Sequence, residues 1–220
     1  MNIKNNINNL LQNLPPDCKL IAVSKTKPVE KILEAYGAGQ RRFGENKMQE
    51  IVPKYETLPK DIEWHMIGHL QSNKVKYIAP FISLIHSVDS ISLLSEINKQ
   101  GKRANRVIPC LLQVHIAQEE TKFGFSEDEL QQLLFSKDFE SLRNITITGL
   151  MGMATLTADV SQIRKEFRGL KALFEKIKSV PLPPQVEMKE LSMGMSSDYS
   201  IAVEEGSTMI RVGTAIFGER

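Results

Sequence analysis

The feature that most constrains this chain is an alternation repeated along its length: a short apolar or β-branched run, a small or polar residue, then a helically periodic stretch. Strand-like runs fall at 20–25, 41–46, 63–68, 84–89, 109–116, 146–153, 190–195 and 208–212, which makes eight. Between the sixth and seventh, Val160, Ile163, Phe167, Leu170, Leu173 and Ile177 step by three or four residues and share one helix face. Ser90 is placed to cap a helix ending before Gly101, and Ser126 with Glu129 reads as a capping box ahead of Leu130, Leu133 and Leu134. With no region made of strands alone, such units imply parallel strands joined by right-handed crossovers.

Eight units select a closed (β/α)8 TIM barrel, and 220 residues place it near the short end of the roughly 200 to more than 400 usual for that fold. A doubly wound open sheet is the competing architecture. It normally carries a glycine-rich phosphate turn after its first strand, and "VSKTKP" at 23–28 has no glycine. Linkers are short, so 1–220 reads as a single domain. The chain ends soon after the eighth run, leaving no room for a full final helix. Residues 1–14 are expected to form an extra N-terminal helix packing on the barrel there, because Ile3, Ile7, Leu10, Leu11 and Leu14 form one apolar stripe.

Composition then removes several function classes. A formal net charge of +2, with basic residues interleaved among acidic ones, gives no footprint for nucleic acid. Cys18 and Cys110 stand far apart without metal-ligand spacing, which points to reduced thiols. The N-terminus lacks the apolar core of a signal peptide, and no apolar run approaches a membrane span. A cytoplasmic location is the expectation.

In a (β/α)8 barrel the chemistry gathers where strands end and βα loops converge. The strand ends here bring Lys25, Gly44-Glu45-Asn46, Gly68-His69, Ser87 to Asp89, Met153, Met195-Ser196-Ser197 and Arg211 to Thr214 into one constellation. Lys25 has two readings: a charged stop at the rim, or an amine nucleophile made competent by partial desolvation. Lys27, followed by Pro28, reads as solvated. After runs seven and eight, where this fold commonly binds phosphate, Ser196, Gly213 and Thr214 supply hydroxyls and an amide; as a plainer alternative they cap helices. Arg211 lies among apolar neighbours and requires an acceptor.

Amine, phosphate cradle and arginine together fit pyridoxal 5′-phosphate, which carries an aldehyde, a phosphate and a ring nitrogen. Three functions remain compatible with these residues: a protein that holds this cofactor, a small amino-acid racemase that uses it, and a Schiff-base aldolase acting on a sugar phosphate without it.

The segments "AVSKTKP", "FGENKMQE", "WHMIGHLQSNK", "HSVD", "GLMGM", "LSMGMSSDY" and "STMIRVGTAIFGER" resemble, in order, the signature segments of the pyridoxal phosphate homeostasis protein family, related to the alanine racemase barrel. The resemblance implies that Lys25 forms the internal aldimine and Arg211 stands near the pyridine nitrogen. It further implies that Ser196, Gly213 and Thr214 bind phosphate and that Asn46 lines the pocket. In that family the protein binds, buffers and delivers the cofactor without established turnover, with pyridoxal phosphate-dependent apoenzymes as the class of recipient. A monomer is the expectation, because the β domain that supplies a dimer contact in alanine racemases has no counterpart in this sequence.

Other chemistry-bearing residues have plainer readings. His65 and His69 have the spacing of a helical metal pair but straddle a strand end. His86 and His115 fall in apolar runs and read as core or rim residues. Met153 and Met195 read as packing that could also touch a planar ring, and "QEETKFGF" as a surface loop.

Overall fold

Each apolar run pairs in parallel with the next, and the eighth returns to the first to close a barrel in chain order. The computed structural model describes residues 2–118 and 123–219. The staves are β1 (Lys19–Val23), β2 (Arg42–Glu45), β3 (Glu63–Met66), β4 (Leu84–Val88), β5 (Ile108–Val114), β6 (Ile145–Gly152), β7 (Val186–Ser192) and β8 (Met209–Val212). Around them run α1 (Ile3–Gln12), α2 (Val29–Gly37), α3 (Met48–Thr57), α4 (Val75–Ile78), α5 (Ile91–Arg103), α6 (Glu127–Leu134), α7 (Lys137–Glu140), α8 (Val160–Lys178), α9 (Tyr199–Glu204) and α10 (Thr214–Phe217).

The period-two alternation of a strand divides the apolar residues between two cores. Leu20, Ala22, Phe43, Trp64, Ile85 and Leu112 face the helices, within one large cluster. Ile21, Leu84, Leu111, Met151 and Met209 form a separate small cluster inside the barrel. The α8 stripe buries Ile163, Phe167, Leu170, Leu173, Phe174 and Ile177. At about 1.5–3 kcal/mol per buried side chain, this outweighs the solvent-screened pairs that Arg164 and Arg168 of α8 make with Glu204 and Glu205 at the end of α9.

Helix punctuation follows the sequence with one difference. Ser90 caps α5 by accepting from the Leu93 amide, and Ser126 and Glu129 make the reciprocal box at α6. Yet α5 does not stop at Gly101; it continues to Arg103. Gly101 is a point of close approach: a Cβ there would come within 2.7 Å of the Asn144 carbonyl.

The final helix, α10, is short. Next to it α1 packs against both α2 and α10, with Ile3, Ile7 and Leu10 buried and Asn6 Nδ2 donating to the Ile216 carbonyl at 2.9 Å. Leu11, counted in the apolar stripe, faces solvent. Among the described residues, no helix is long and apolar enough to cross a membrane.

Two strand limits bear on the site. β1 ends at Val23, so Lys25 sits two residues into the loop. β7 begins at Val186 rather than 190, because its first half alternates buried Val186 and Met188 with exposed Glu187 and Lys189 at the barrel rim. Of "QEETKFGF", positions 119–122 lie outside the described residues. Phe125 is buried, and its backbone pairs with Gln113 and His115 beyond a simple surface loop.

Candidate cofactor pocket

Because all eight strands run the same way, their carboxyl ends share one face. A cavity of about 510 Å³ opens there and is lined by Lys25, Asn46, Ser196, Arg211, Gly213 and Thr214. The six residues singled out from sequence therefore meet in one place. Met153 and Met195 form apolar wall, and beyond them lies a smaller hollow of about 230 Å³ that includes His115.

Lys25 is half-buried, and its amine has neither an ion pair nor a hydrogen-bond partner among the described residues. Lys27 departs from the solvated reading. Its Nζ donates to the carbonyls of Gly218 (3.0 Å) and Glu219 (3.2 Å), tying the β1 loop to the C-terminal segment.

Arg211 finds the acceptors its burial requires. Its register partner is Ile21, so both point into the barrel. Nη1 donates to Ser192 Oγ at 2.6 Å and Nη2 to the Gly152 carbonyl at 3.1 Å. Burial pulls its pKa down to about 10, with Asp198 opposing, so it stays cationic at neutral pH.

Behind Arg211 runs a chain of buried groups that the sequence reading did not connect. Ser192 Oγ lies 2.9 Å from His86 Nδ1, and His86 Nε2 lies 2.8 Å from His65 Nδ1. Arginine has no acceptor, so Ser192 Oγ receives from it, and with a second lone pair and a hydrogen of its own it can meet His86 Nδ1 in either tautomer. In the contact between the rings one neutral imidazole donates and the other accepts. Both rings are neutral: burial pushes His65 down to about 3, and His86 far down, with His65 and Arg211 adding to the effect. The available signal was period two, since Ser192 and Arg211 both fall on inward positions. The histidine spacing hid it. His69, exposed, turns away to Asp89 at 3.2 Å, so the two residues of the apparent metal pair serve different surroundings.

The loops after β7 and β8 are braced internally. The Gly213 amide donates to Ser196 Oγ at 3.3 Å, and the Met195 amide to Asp198 Oδ1 at 2.6 Å. Asp198 is buried, which raises its carboxyl pKa, while the Met195 bond and Arg211 pull the other way. Asn46 is positioned by a glycine: a Cβ on Gly68 would come within 2.6 Å of the Asn46 carbonyl. The Gly68 carbonyl is in turn held by Ser87 Oγ at 2.5 Å.

The sequence model of a family described as alanine racemase, N-terminal domain, matches residues 1–220. A pyridoxal phosphate homeostasis protein from Haemophilus influenzae is 39% identical over 100% of this chain and 97% of its own length. The human protein of that name is 38% identical over 92% of this chain and 76% of its own. Among solved structures, PipY of Synechococcus elongatus with pyridoxal phosphate bound superposes with a TM-score of 0.88 at 38% identity, covering 98% of this chain and 100% of that one. By sequence along its whole length and by its barrel, this chain belongs to the pyridoxal phosphate homeostasis protein family, within the wider group built on the alanine racemase N-terminal domain.

Proposed function

We propose that the cavity holds pyridoxal 5′-phosphate and that the protein keeps this cofactor in reserve for intracellular use. The observation that carries the reading is the Lys25 amine, unpaired and lining the same cavity as a buried arginine and the Ser196, Gly213 and Thr214 group. The donor set suits the cofactor: amine for aldehyde, hydroxyls and backbone for phosphate. Gly213 keeps the wall close, since a Cβ there would meet the Val23 carbonyl at 3.2 Å. The family name and the bound cofactor of PipY support the same assignment.

When bound, the cofactor supplies a reactive aldehyde and an electron-accepting ring. Lys25 provides the amine that holds the aldehyde carbon. Ser196, Gly213 and Thr214 would hold the phosphate, and Asn46 lines the same cavity. Arg211 presents only donors and keeps its own proton, so it leaves a ring nitrogen beside it unprotonated. His65 and His86 stand behind Arg211 and do not line the cavity. These residues bind and orient well and move protons poorly, which suits storage and delivery. The recipients are pyridoxal phosphate-dependent apoenzymes, the location is cytoplasmic and the protein acts as a monomer.

Titration with pyridoxal phosphate tests this. A visible absorption band should grow in wild type and be absent in Lys25→Ala, and borohydride reduction should leave the label on Lys25 by mass spectrometry. A wild type without the band removes the reading. Rapid racemisation of an amino acid at physiological concentration would replace storage with catalysis. Faster reactivation of a pyridoxal phosphate-dependent apoenzyme by the loaded protein than by its dissociated cofactor would support delivery, and light scattering reads the oligomeric state.

A further inference from the structure

We propose that Glu45, Lys54 and Glu50 form a positioning device for Lys25, gripping the backbone on both sides of it while leaving its amine to the cavity. The inference rests on the reading that Lys25 holds the cofactor aldehyde.

Lys54, on α3, is 8% exposed. Its Nζ donates to the Ser24 carbonyl at 2.9 Å and to Glu45 Oε1 at 2.7 Å, with Glu50 Oε2 at 3.4 Å. Ser24 Oγ donates to the same Glu45 oxygen at 2.6 Å. On the far side of Lys25, the Thr26 amide donates to Glu50 Oε2 at 2.6 Å. The residue before Lys25 and the residue after it are thus bound to one charged cluster, while Lys25 itself is not.

The backbone conformation shows that this grip works against a local preference. Thr26 has φ +63°, a left-handed geometry that a β-branched residue avoids. Such a conformation persists where the surroundings over-determine it, and it concentrates at functional sites. Here the Glu50 bond to the Thr26 amide and the Lys27 amide bond to the Ser24 carbonyl at 3.0 Å close the turn around Lys25.

Stability alone does not account for the cluster. Glu45 is fully buried, and its Oε2 has no hydrogen-bond partner. A buried ion pair of this kind is commonly replaced by apolar residues with no loss of stability. What apolar residues could not do is accept from Ser24 Oγ and the Thr26 amide and donate to the Ser24 carbonyl. A lysine has a long flexible stem, so placing its amine within reach of an aldehyde depends on a fixed backbone. In the bond-forming step, neutral Lys25 Nζ adds to the aldehyde carbon, C=N forms and the oxygen leaves as water, with no change in oxidation state.

The test separates bond formation from ligand docking. Lys54→Met, Glu50→Ala and Glu50→Gln are titrated with pyridoxal phosphate and with pyridoxine 5′-phosphate, which keeps ring and phosphate but has an alcohol in place of the aldehyde. Lys54→Met and Glu50→Ala should bind pyridoxal phosphate about tenfold more weakly or worse, with a reduced visible band. Their affinity for pyridoxine phosphate should stay within about twofold of wild type. Glu50→Gln, which keeps an acceptor for the Thr26 amide, should recover most of the band lost in Glu50→Ala. Thermal unfolding accompanies each titration. If Lys54→Met fails to fold, the two Glu50 variants decide, since that side chain is only partly buried. Wild-type band and affinity in Glu50→Ala, or equal weakening for both ligands, would overturn the positioning role. A wild type without a band would remove the Lys25 reading and this role with it.

Discussion

The two ends of the barrel use the same residue types to opposite effect. At the amino end Lys19 pairs with Glu190, Arg42 with Glu63 at 3.0 Å and Lys189 with Glu187 at 2.5 Å. These groups surround a hollow of about 270 Å³ and neutralise one another. At the carboxyl end the Lys25 amine has no partner, and the hydrogen bonds of Arg211 go to a hydroxyl and a carbonyl, neither of them anionic. Asp198, which acts on Arg211 only through its charge, has Oδ1 engaged by the Met195 amide. A rim that completes its own ion pairs has little left for a ligand. A rim whose Lys25 and Arg211 make no direct ion pair among the described residues keeps donors available to an anion.

The largest effect expected is one that breaks both ends together. A Cβ on Gly149 would stand 1.7 Å from the Glu190 carbonyl oxygen, at a φ of +154° and beside register shifts toward β5 and β7. Backbone cannot yield as a side-chain tip can, so Gly149→Ala should destabilise by more than about 3 kcal/mol. Urea unfolding should show no cooperative native transition.

Arg211→Lys comes next and breaks the carboxyl end alone. It keeps the charge but loses the fork that serves Ser192 and Gly152 at once. A loss of about 2 kcal/mol in stability and roughly tenfold in pyridoxal phosphate affinity is expected from unfolding and titration. Affinity equal to wild type would show that net charge, rather than fixed geometry, prepares this rim.

The contrast between the ends also explains what could be read in advance. Strand ends are visible as the point where an apolar run meets Lys25, Asn46 or Ser196, and a barrel brings every such point to one face. Most staves were countable because they are locally apolar, as in Leu84–Val88 and Ile108–Val114, while β2, Arg42–Glu45, stood out only by its place in the alternation. Side-chain partners across the barrel were not, since nothing in the spacing of His65, His86 and Ser192 reveals that β3, β4 and β7 place them in one line. The Glu45 and Lys54 contact was hidden for a related reason: Glu45 was grouped with the strand end, and nothing in the sequence marks Lys54, nine residues on, as its partner. Gly101 looked like a terminator because a close approach to Asn144 is a tertiary fact.

Between the two ends lies the neutral histidine pair, and pH tests that layer. Burial depresses both rings in the folded state relative to 6.5 in the unfolded chain, His65 to about 3. Below pH 6.5 the unfolded chain takes up protons that the folded one refuses, so stability is full above that value and falls as pH drops from 6.5 toward 3. Each histidine contributes a slope of about 1.4 kcal/mol per pH unit well below 6.5. Glu45 and Asp198, whose carboxyls burial raises, oppose the trend at the acid end of this window. Denaturant unfolding at pH 7, 6 and 5 should show the decline, and His65→Gln, whose amide can donate to or accept from His86, should flatten it by about half.

The smallest effect belongs to the amino end, and it sharpens the comparison most. Lys19 is 37% exposed along its side chain, and its partner Glu190 also accepts from Thr208 Oγ1 at 2.9 Å. Removing the lysine therefore leaves the carboxylate with one hydrogen bond and access to water. Lys19→Ala should cost about 1 kcal/mol, because a partly exposed pair gains little over its hydrated members. The deficit should shrink in high salt, where screening has already weakened the wild-type pair. Pyridoxal phosphate affinity should not change, since the apolar cluster of Ile21, Leu84, Leu111, Met151 and Met209 and the neutral histidines separate the two rims. If Lys19→Ala weakened cofactor binding as much as Arg211→Lys, the interior would be transmitting charge from one end to the other. The barrel would then have to be treated as a single electrostatic unit.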